Sequence, residues 1–228
     1  MYKKTADNTI EFIKSFKKDI HILWFGGEPL MNFNMIRYIS KRLKEENIKF
    51  SSSIITNGFL LTEFKIEKLK ELQITNVQIT LDGCRETHSK RRTHKKNLPT
   101  FDVILENIDK LSQKAIEDNI FVNITITIDK SNKKEFPQMM VFLRERYKYL
   151  IDKELINIIF NFVESRSNEN TCKLNNTERI EYIFELLENK NIPSSYISHF
   201  LFPKQNISPC MYRKVNTFGI GASGNIYK

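Results

Sequence analysis

Apolar residues along the chain switch between two spacings, and the switches divide it into helices and strands. Ile10, Ile13 and Phe16 fall at near-helical intervals within Thr5–Lys18, with Asp7 and Asn8 as candidate caps, and an apolar strand follows at His21–Phe25. The spacing then predicts a helix from about Asn34 to Glu46, burying Met35 or Ile36 together with Ile39 and Leu43, a strand at Ser51–Thr56 and a helix at Glu63–Leu72. A strand at Asn76–Asp82 leads to a helix at Phe101–Asp118, with Thr100 as its N-cap and Phe101, Ile104, Leu105, Ile108 and Leu111 in one stripe. Strand Phe121–Asp129, helix Phe136–Tyr149 and strand Leu155–Val163 continue the order. After a polar loop at Glu164–Lys173, a last helix over Thr177–Lys190 uses Ile180, Ile183, Phe184 and Leu187 and is closed by Pro193. Strands alternating with helices predict an α/β fold built on a parallel sheet.

Two of these strands alternate with period two. Val77, Ile79 and Leu81 alternate with Gln78, Thr80 and Asp82, and Val122, Ile124, Ile126 and Ile128 alternate with Asn123, Thr125, Thr127 and Asp129. Parallel strands covered on both faces read as continuous apolar runs, so these have one face for helices and one polar face. A water-exposed edge strand carries the same pattern. Its recurrence in two strands, and again at Asn157 and Asn161, favours a sheet curved around a polar, ligand-holding lumen.

The strand ends are punctuated by glycine. Of seven glycines, the first four stand in Phe25-Gly26-Gly27, Thr56-Asn57-Gly58 and Leu81-Asp82-Gly83. Ligands of α/β folds gather at the carboxyl ends of strands, where a backbone without Cβ atoms admits close approach. In Ile22–Leu30, the strand runs into Gly26 and Gly27, then Glu28 as an acceptor suited to an ammonium group, then Pro29 fixing the exit. A strand-to-helix turn without ligand is the alternative for any isolated Gly-Gly; the other glycines argue against it.

Composition narrows the class. With 228 residues, 40% hydrophobic and 28% charged, the chain has room for one sizeable α/β domain. No apolar run is long enough for a membrane span and no leader pattern opens the chain, which with three scattered cysteines points to a reducing, cytoplasmic setting. The net charge of +9 is densest at Lys90–Lys96, but a basic balance alone describes non-specific attraction and does not support a nucleic-acid partner.

These residues resemble the radical SAM enzymes, specifically the peptide- and protein-modifying branch with a SPASM or twitch extension, such as the anaerobic sulfatase maturases. Trp24-Phe25-Gly26-Gly27-Glu28-Pro29-Leu30 is similar to that family's GGEP motif, Thr56-Asn57-Gly58 to its next strand-end motif, and Gln78–Gly83 with Glu86, His88 and Arg92 to its Ser-x-Asp-Gly segment with downstream His and Arg. The resemblance implies a partial (β/α)6 barrel over residues 1–202. It implies S-adenosylmethionine held beside a [4Fe-4S] cluster whose electron, drawn from a donor such as flavodoxin or ferredoxin, cleaves the sulfonium. The resulting 5′-deoxyadenosyl radical would act on a peptide or protein substrate. It places Gly26, Gly27 and Glu28 around the methionine ammonium, with Pro29 and Asn57 at the same strand ends, and gives the Thr80 hydroxyl to the ribose or carboxylate. Arg92 either faces the ligand carboxylate or belongs to the solvated basic run; Asp82 either touches ligand or caps its loop.

The departures are as informative. The family's Cys-x-x-x-Cys-x-x-Cys motif, which supplies three thiolates to the cluster, is absent, because Cys84, Cys172 and Cys210 are widely separated. The resemblance therefore implies that the first strand and the cluster loop precede Met1, and that the chain by itself is inactive or serves as a peptide-binding barrel. Residues 203–228 resemble the opening of a SPASM/twitch domain, with Cys210 as the first auxiliary-cluster ligand and the chain stopping one residue before the next. Gly219–Gly224 matches G-x-G-x-x-G, but no helix can follow in the residues left, and a β-hairpin turn accounts for it better.

Overall fold

A computed structural model describes residues 1–16, 19–93, 99–164, 172–197 and 217–227. Helix α1 (Lys3–Lys14) precedes strand β1 (Ile20–Trp24); α2 (Phe33–Glu45), β2 (Phe50–Thr56), α3 (Glu63–Glu67) and β3 (Ile74–Leu81) follow. Then come α4 (Arg85–Arg91), α5 (Thr100–Asp118), β4 (Phe121–Ile128), α6 (Phe136–Arg146), α7 (Lys148–Asp152), β5 (Ile156–Phe162) and α8 (Asn176–Glu188). The five strands β1–β5 form one parallel sheet in chain order, so each crossover moves one strand along. All four strand pairs are parallel. This is the α/β arrangement of a partial barrel, as the alternation of periods predicts.

The period-two pattern sorts correctly. Val77, Ile79, Leu81, Val122, Ile124, Ile126 and Ile128 are buried against helices, while Gln78, Thr80, Asn123 and Thr127 are half-buried on the other face. Register carries the polar face across strands: Gln78 lies beside Asn123, Thr80 beside Thr125, Asn123 beside Asn157 and Thr127 beside Asn161. The polar row continues to the edge strand, where both ring nitrogens of His21 meet serine hydroxyls, Ser51 at 2.9 Å and Ser53 at 3.0 Å. Not one Lys, Arg, Asp or Glu lies within the five strands, so charge enters this face only at its ends. Ile159, in register with Thr125, interrupts the polar row.

Helix α5 shows why the apolar stripe matters for the site. Ile104, Leu105, Ile108, Leu111 and Ala115 are buried against the sheet, and Asn107 on the same side donates from Nδ2 to the carbonyls of Gly58 (2.9 Å) and Phe59 (3.2 Å). The helix thereby pins the loop after β2. It ends at Asn119, which takes φ of 53° and returns its N–H to Ala115.

Several local expectations need correction. Thr100 is the first helical residue rather than the cap; Pro99 is the cap, and the Thr100 hydroxyl donates to the Arg92 carbonyl instead. The helix expected over Phe136–Tyr149 breaks at Tyr147 into α6 and α7. In α8, started by the Asn175–Glu178 capping box, the buried residues are Tyr182, Ile183 and Leu186, while Ile180 and Phe184 are exposed, because the helix turns the Tyr182–Leu186 side to its neighbours. Helix α4 carried no apolar stripe and was not anticipated.

Residues 219–220 and 226–227 pair as antiparallel strands, so the glycine string is a hairpin as expected. Phe218 stacks with Phe12 and Phe16 of the α1 region, at centroid distances of 5.3 and 5.5 Å, which brings this hairpin onto the N-terminal helix. The boundary expected at 202/203 and Cys210 lie outside the described residues, as do residues 94–98 of the basic run.

Candidate functional site

The site residues expected from the sequence, Cys210 and Arg92 excepted, lie at or just beyond the carboxyl end of a strand of one parallel sheet: Gly26–Pro29 after β1, Asn57 after β2, and Thr80 and Asp82 at β3; Arg92, after α4, reaches the same edge through Asp82. Because the strands are parallel and in register, their carboxyl ends share one edge. How each residue is used differs sharply.

Gly26 and Gly27 take φ of 97° and 56°, in the region that only glycine enters without strain. A Cβ at either would meet nothing within 4 Å, and their backbone N–H and C=O groups make no hydrogen bond among the described residues. Two consecutive peptides with unspent polar groups facing open space form a cradle for a small polar ligand. Glu28 supports the cradle from beneath: Oε1 accepts from the Leu30 amide (3.0 Å) and the Thr56 hydroxyl (2.7 Å), and Oε2 accepts from the Asn57 amide (2.8 Å). One carboxylate thus ties the turn after β1 to the end of β2. Lys65, its pKa lowered by burial and partly restored by Glu28, donates to the Leu30 carbonyl at 3.0 Å. Pro29 opens the short 3₁₀ turn that follows.

At the end of β3, Asp82 is saturated. Its carboxylate accepts from Arg92 through Nε (2.6 Å) and a second guanidinium nitrogen (3.3 Å); its carbonyl accepts from Asn132 (3.0 Å) and Arg91 (3.4 Å); its amide donates to Nδ1 of His88 (3.1 Å). Arg92 and Asp82 thus hold each other, with part of the Arg92 side chain still exposed. Arg91, the next residue back, reaches Asp129 at the end of β4 (2.6 Å) and the Ser131 hydroxyl. Burial raises the Asp129 pKa, but the Arg91 guanidinium and the Ser131 amide and hydroxyl outweigh it and hold the carboxyl below the usual range. Asn132 closes the knot by donating to the Thr127 carbonyl (2.7 Å) and accepting from the Asp129 amide (2.8 Å).

Arg91, Asp129 and Asn132 join the site only through the fold. A signal for Asp129 existed: it ends β4 as Asp82 ends β3. Nothing in the local sequence marks Asn132. Between the two ends, Thr80 is half-buried with no side-chain partner among the described residues, and the buried Thr125 hydroxyl beside it is likewise unpaired. Among the described residues those hydroxyls have no partner, whereas both oxygens of the Asp82 carboxylate accept from Arg92.

The cradle fits an ammonium–carboxylate ligand. Among the described residues, the two cysteines lie on different loops and do not form a [4Fe-4S] ligand set. Cys84, half-buried at the start of α4, donates its amide N–H to the Glu135 carboxylate (3.0 Å), and its thiol, pushed up by burial and by Glu135, donates toward the Glu135 carbonyl at 3.8 Å. Cys172 is exposed on another loop. Among the described residues no three His, Cys, Asp or Glu side chains converge on a metal position.

Comparison with known proteins gives the family and the likeness of fold. Residues 1–143 match the family described as the Radical SAM superfamily. An uncharacterized protein of Methanocaldococcus jannaschii is 30% identical over 186 residues, covering 81% of this chain and 60% of that protein. The radical SAM cyclopropyl synthase TigE of Paramaledivibacter caminithermalis is 33% identical over 51% of this chain and 26% of its own length. The cysteine-type anaerobic sulfatase-maturating enzyme of Clostridium novyi is 30% identical over 53% of this chain and 32% of its own. The chain thus spans 60% or less of these relatives. A solved structure described as native anSMEcpe with bound AdoMet superposes on 89% of this chain and 53% of its own, with a TM-score of 0.61 at 17% identity, a likeness of fold.

Proposed function

The chain belongs to the radical SAM superfamily, and from that premise we propose that its strand ends hold S-adenosylmethionine for the modification of a peptide or protein substrate. The carrying observation is the open Gly26–Gly27 turn, whose unspent backbone groups lie on the same edge as the unpaired Thr80 hydroxyl. In this reading Gly26 and Gly27 line the methionine ammonium, and Glu28 adds negative charge while fixing the cradle through Thr56 and Asn57. Thr80 serves the ribose or carboxylate. Asp82 and Arg92 frame the site by holding each other. Bound S-adenosylmethionine with a reduced [4Fe-4S] cluster supplies radical chemistry; the residues named here bind and orient.

A peptide substrate is supported by the sulfatase-maturating relative and by a fold neighbour described as holding both AdoMet and a Cp18Cys peptide. The uncharged amide and hydroxyl face of β3–β5 suits peptide groups. Because no two of its cysteines stand at cluster-motif spacing, residues 1–228 alone are expected to do no radical chemistry, which also favours a second reading as a peptide-binding barrel. Anaerobic reconstitution with iron and sulfide, followed by an assay for 5′-deoxyadenosine and equilibrium dialysis with labelled S-adenosylmethionine, tests both. We expect saturable binding without stoichiometric cluster or cleavage. Cluster and cleavage overturn the inactivity; absence of binding overturns the cofactor assignment. A flavodoxin or ferredoxin as electron donor belongs to the same proposal.

A further inference from the structure

We propose that His88 is a positioning residue for the ligand-facing end of β3: its Nδ1 takes the Asp82 amide hydrogen and so sets the backbone from which Asp82 clasps Arg92. The argument begins with direction. A backbone N–H can only donate, so an Nδ1 that accepts from it at 3.1 Å carries no proton, and the neutral ring holds its hydrogen on Nε2.

That choice leaves Nε2 buried and without a partner among the described residues, beside the ring of Phe101 at a centroid distance of 5.6 Å. The ring is fully buried. An aliphatic side chain at this place would pack against Phe101 with no unsatisfied donor, so packing does not explain an imidazole. The acceptor does. Beyond the last residue of β3 the Asp82 amide has left the ladder, and His88 is the group that satisfies it. The consequences run outward from Asp82, because the same residue receives Arg92 on its carboxylate and Arg91 and Asn132 on its carbonyl. A shift of the Asp82 backbone would loosen the Arg92 clasp, the tie to β4 and the seat of Thr80 two residues earlier. The relevance to ligand rests on the cofactor reading above; the geometry does not.

Asparagine is the informative substitute, because its Oδ1 occupies nearly the position of an imidazole Nδ1 and keeps an acceptor there, whereas leucine keeps bulk alone. Long-range ¹H–¹⁵N spectra of the wild-type chain should show His88 protonated at Nε2 and bare at Nδ1. In His88→Leu, Asp82 amide exchange should accelerate about tenfold relative to the Ile124 amide of β4, as expected for one lost hydrogen bond. Exchange of the Arg92 Nε–H, which donates to Asp82 in the wild type, should accelerate with it, and His88→Asn should restore both. If His88→Leu does not fold, the wild-type tautomer and the Asn variant decide. A proton on Nδ1, or loss of Asp82 protection in the Asn variant as severe as in the Leu variant, overturns the proposal, as does full protection in the Leu variant. Dialysis with S-adenosylmethionine on the same samples separates the two readings: a wild type that binds none ends the cofactor assignment and leaves His88 to be judged by its spectra.

Discussion

The two halves of the strand-end edge are built on opposite principles. After β1, Gly26 and Gly27 leave backbone groups unspent with open space beside them, and one carboxylate ties that turn to the end of β2. After β3 and β4, two Asp–Arg pairs, an asparagine and a buried histidine consume every polar atom of Asp82. Both halves look alike as sequence, polar residues and glycine ending apolar strands. The difference teaches that a charged residue at a strand end is as often framing as ligand contact, and that availability is read from unspent groups rather than from charge.

The largest test compares the open Gly27 with a packed strand-end glycine. Gly58 also has a positive φ, 79°, but a Cβ there would stand 2.9 Å from Ile79 and 3.1 Å from Ile104. Gly58→Ala should lower stability by about 4 kcal/mol in urea unfolding, from left-handed strain and overpacking together. Gly27→Ala, with strain but no clash, should lower it by about 1 kcal/mol. Equal effects would mean that the first turn is as packed as the second.

The closed half should announce itself in pH dependence. Burial, with a smaller contribution from Arg92, pushes the His88 pKa down to about 4 against Asp82, while the unfolded chain titrates near the ordinary value of ~6.5. Folding therefore favours the neutral ring. Stability should be constant above pH 6.5 on this account and fall by about 3 kcal/mol as pH drops to 4, because only the unfolded chain takes up the proton. His88→Asn should remove that slope. Asp129, held below its usual range, contributes stability that is present above the unfolded carboxyl pKa and lost as pH falls through its folded one. A slope unchanged in the Asn variant would place the titration elsewhere.

Glu28→Gln is a finer probe of the open half. The amide retains one acceptor oxygen but turns an N–H₂ toward a donor, so one of the Leu30, Thr56 or Asn57 bonds is lost, at about 2 kcal/mol. Any effect on S-adenosylmethionine affinity beyond that seen with a distant variant of equal stability would show that the charge reaches the ligand as well as the frame.

Much was legible in the sequence because it is local. Periods of 3.6 and two gave the βα order, the parallel sheet and the two faces of β3 and β4, since side-chain direction follows from backbone geometry alone. Glycine at Gly26, Gly27 and Gly58 marked the strand ends because no other residue takes those dihedrals freely. Which acceptor meets which donor was not local. Glu28 reaches a strand 28 residues on, Arg91 reaches Asp129 across 38, and Asn132 reaches back 50 to Asp82. Helix α8 turned its Ile180 and Phe184 outward for the same kind of reason, its face being chosen by what lay beside it. The sequence by itself determined which residues arrive at the ligand edge. Tertiary structure alone decided which of them arrive with their hydrogen bonds already spent, because those bonds join segments whose proximity no local spacing encodes.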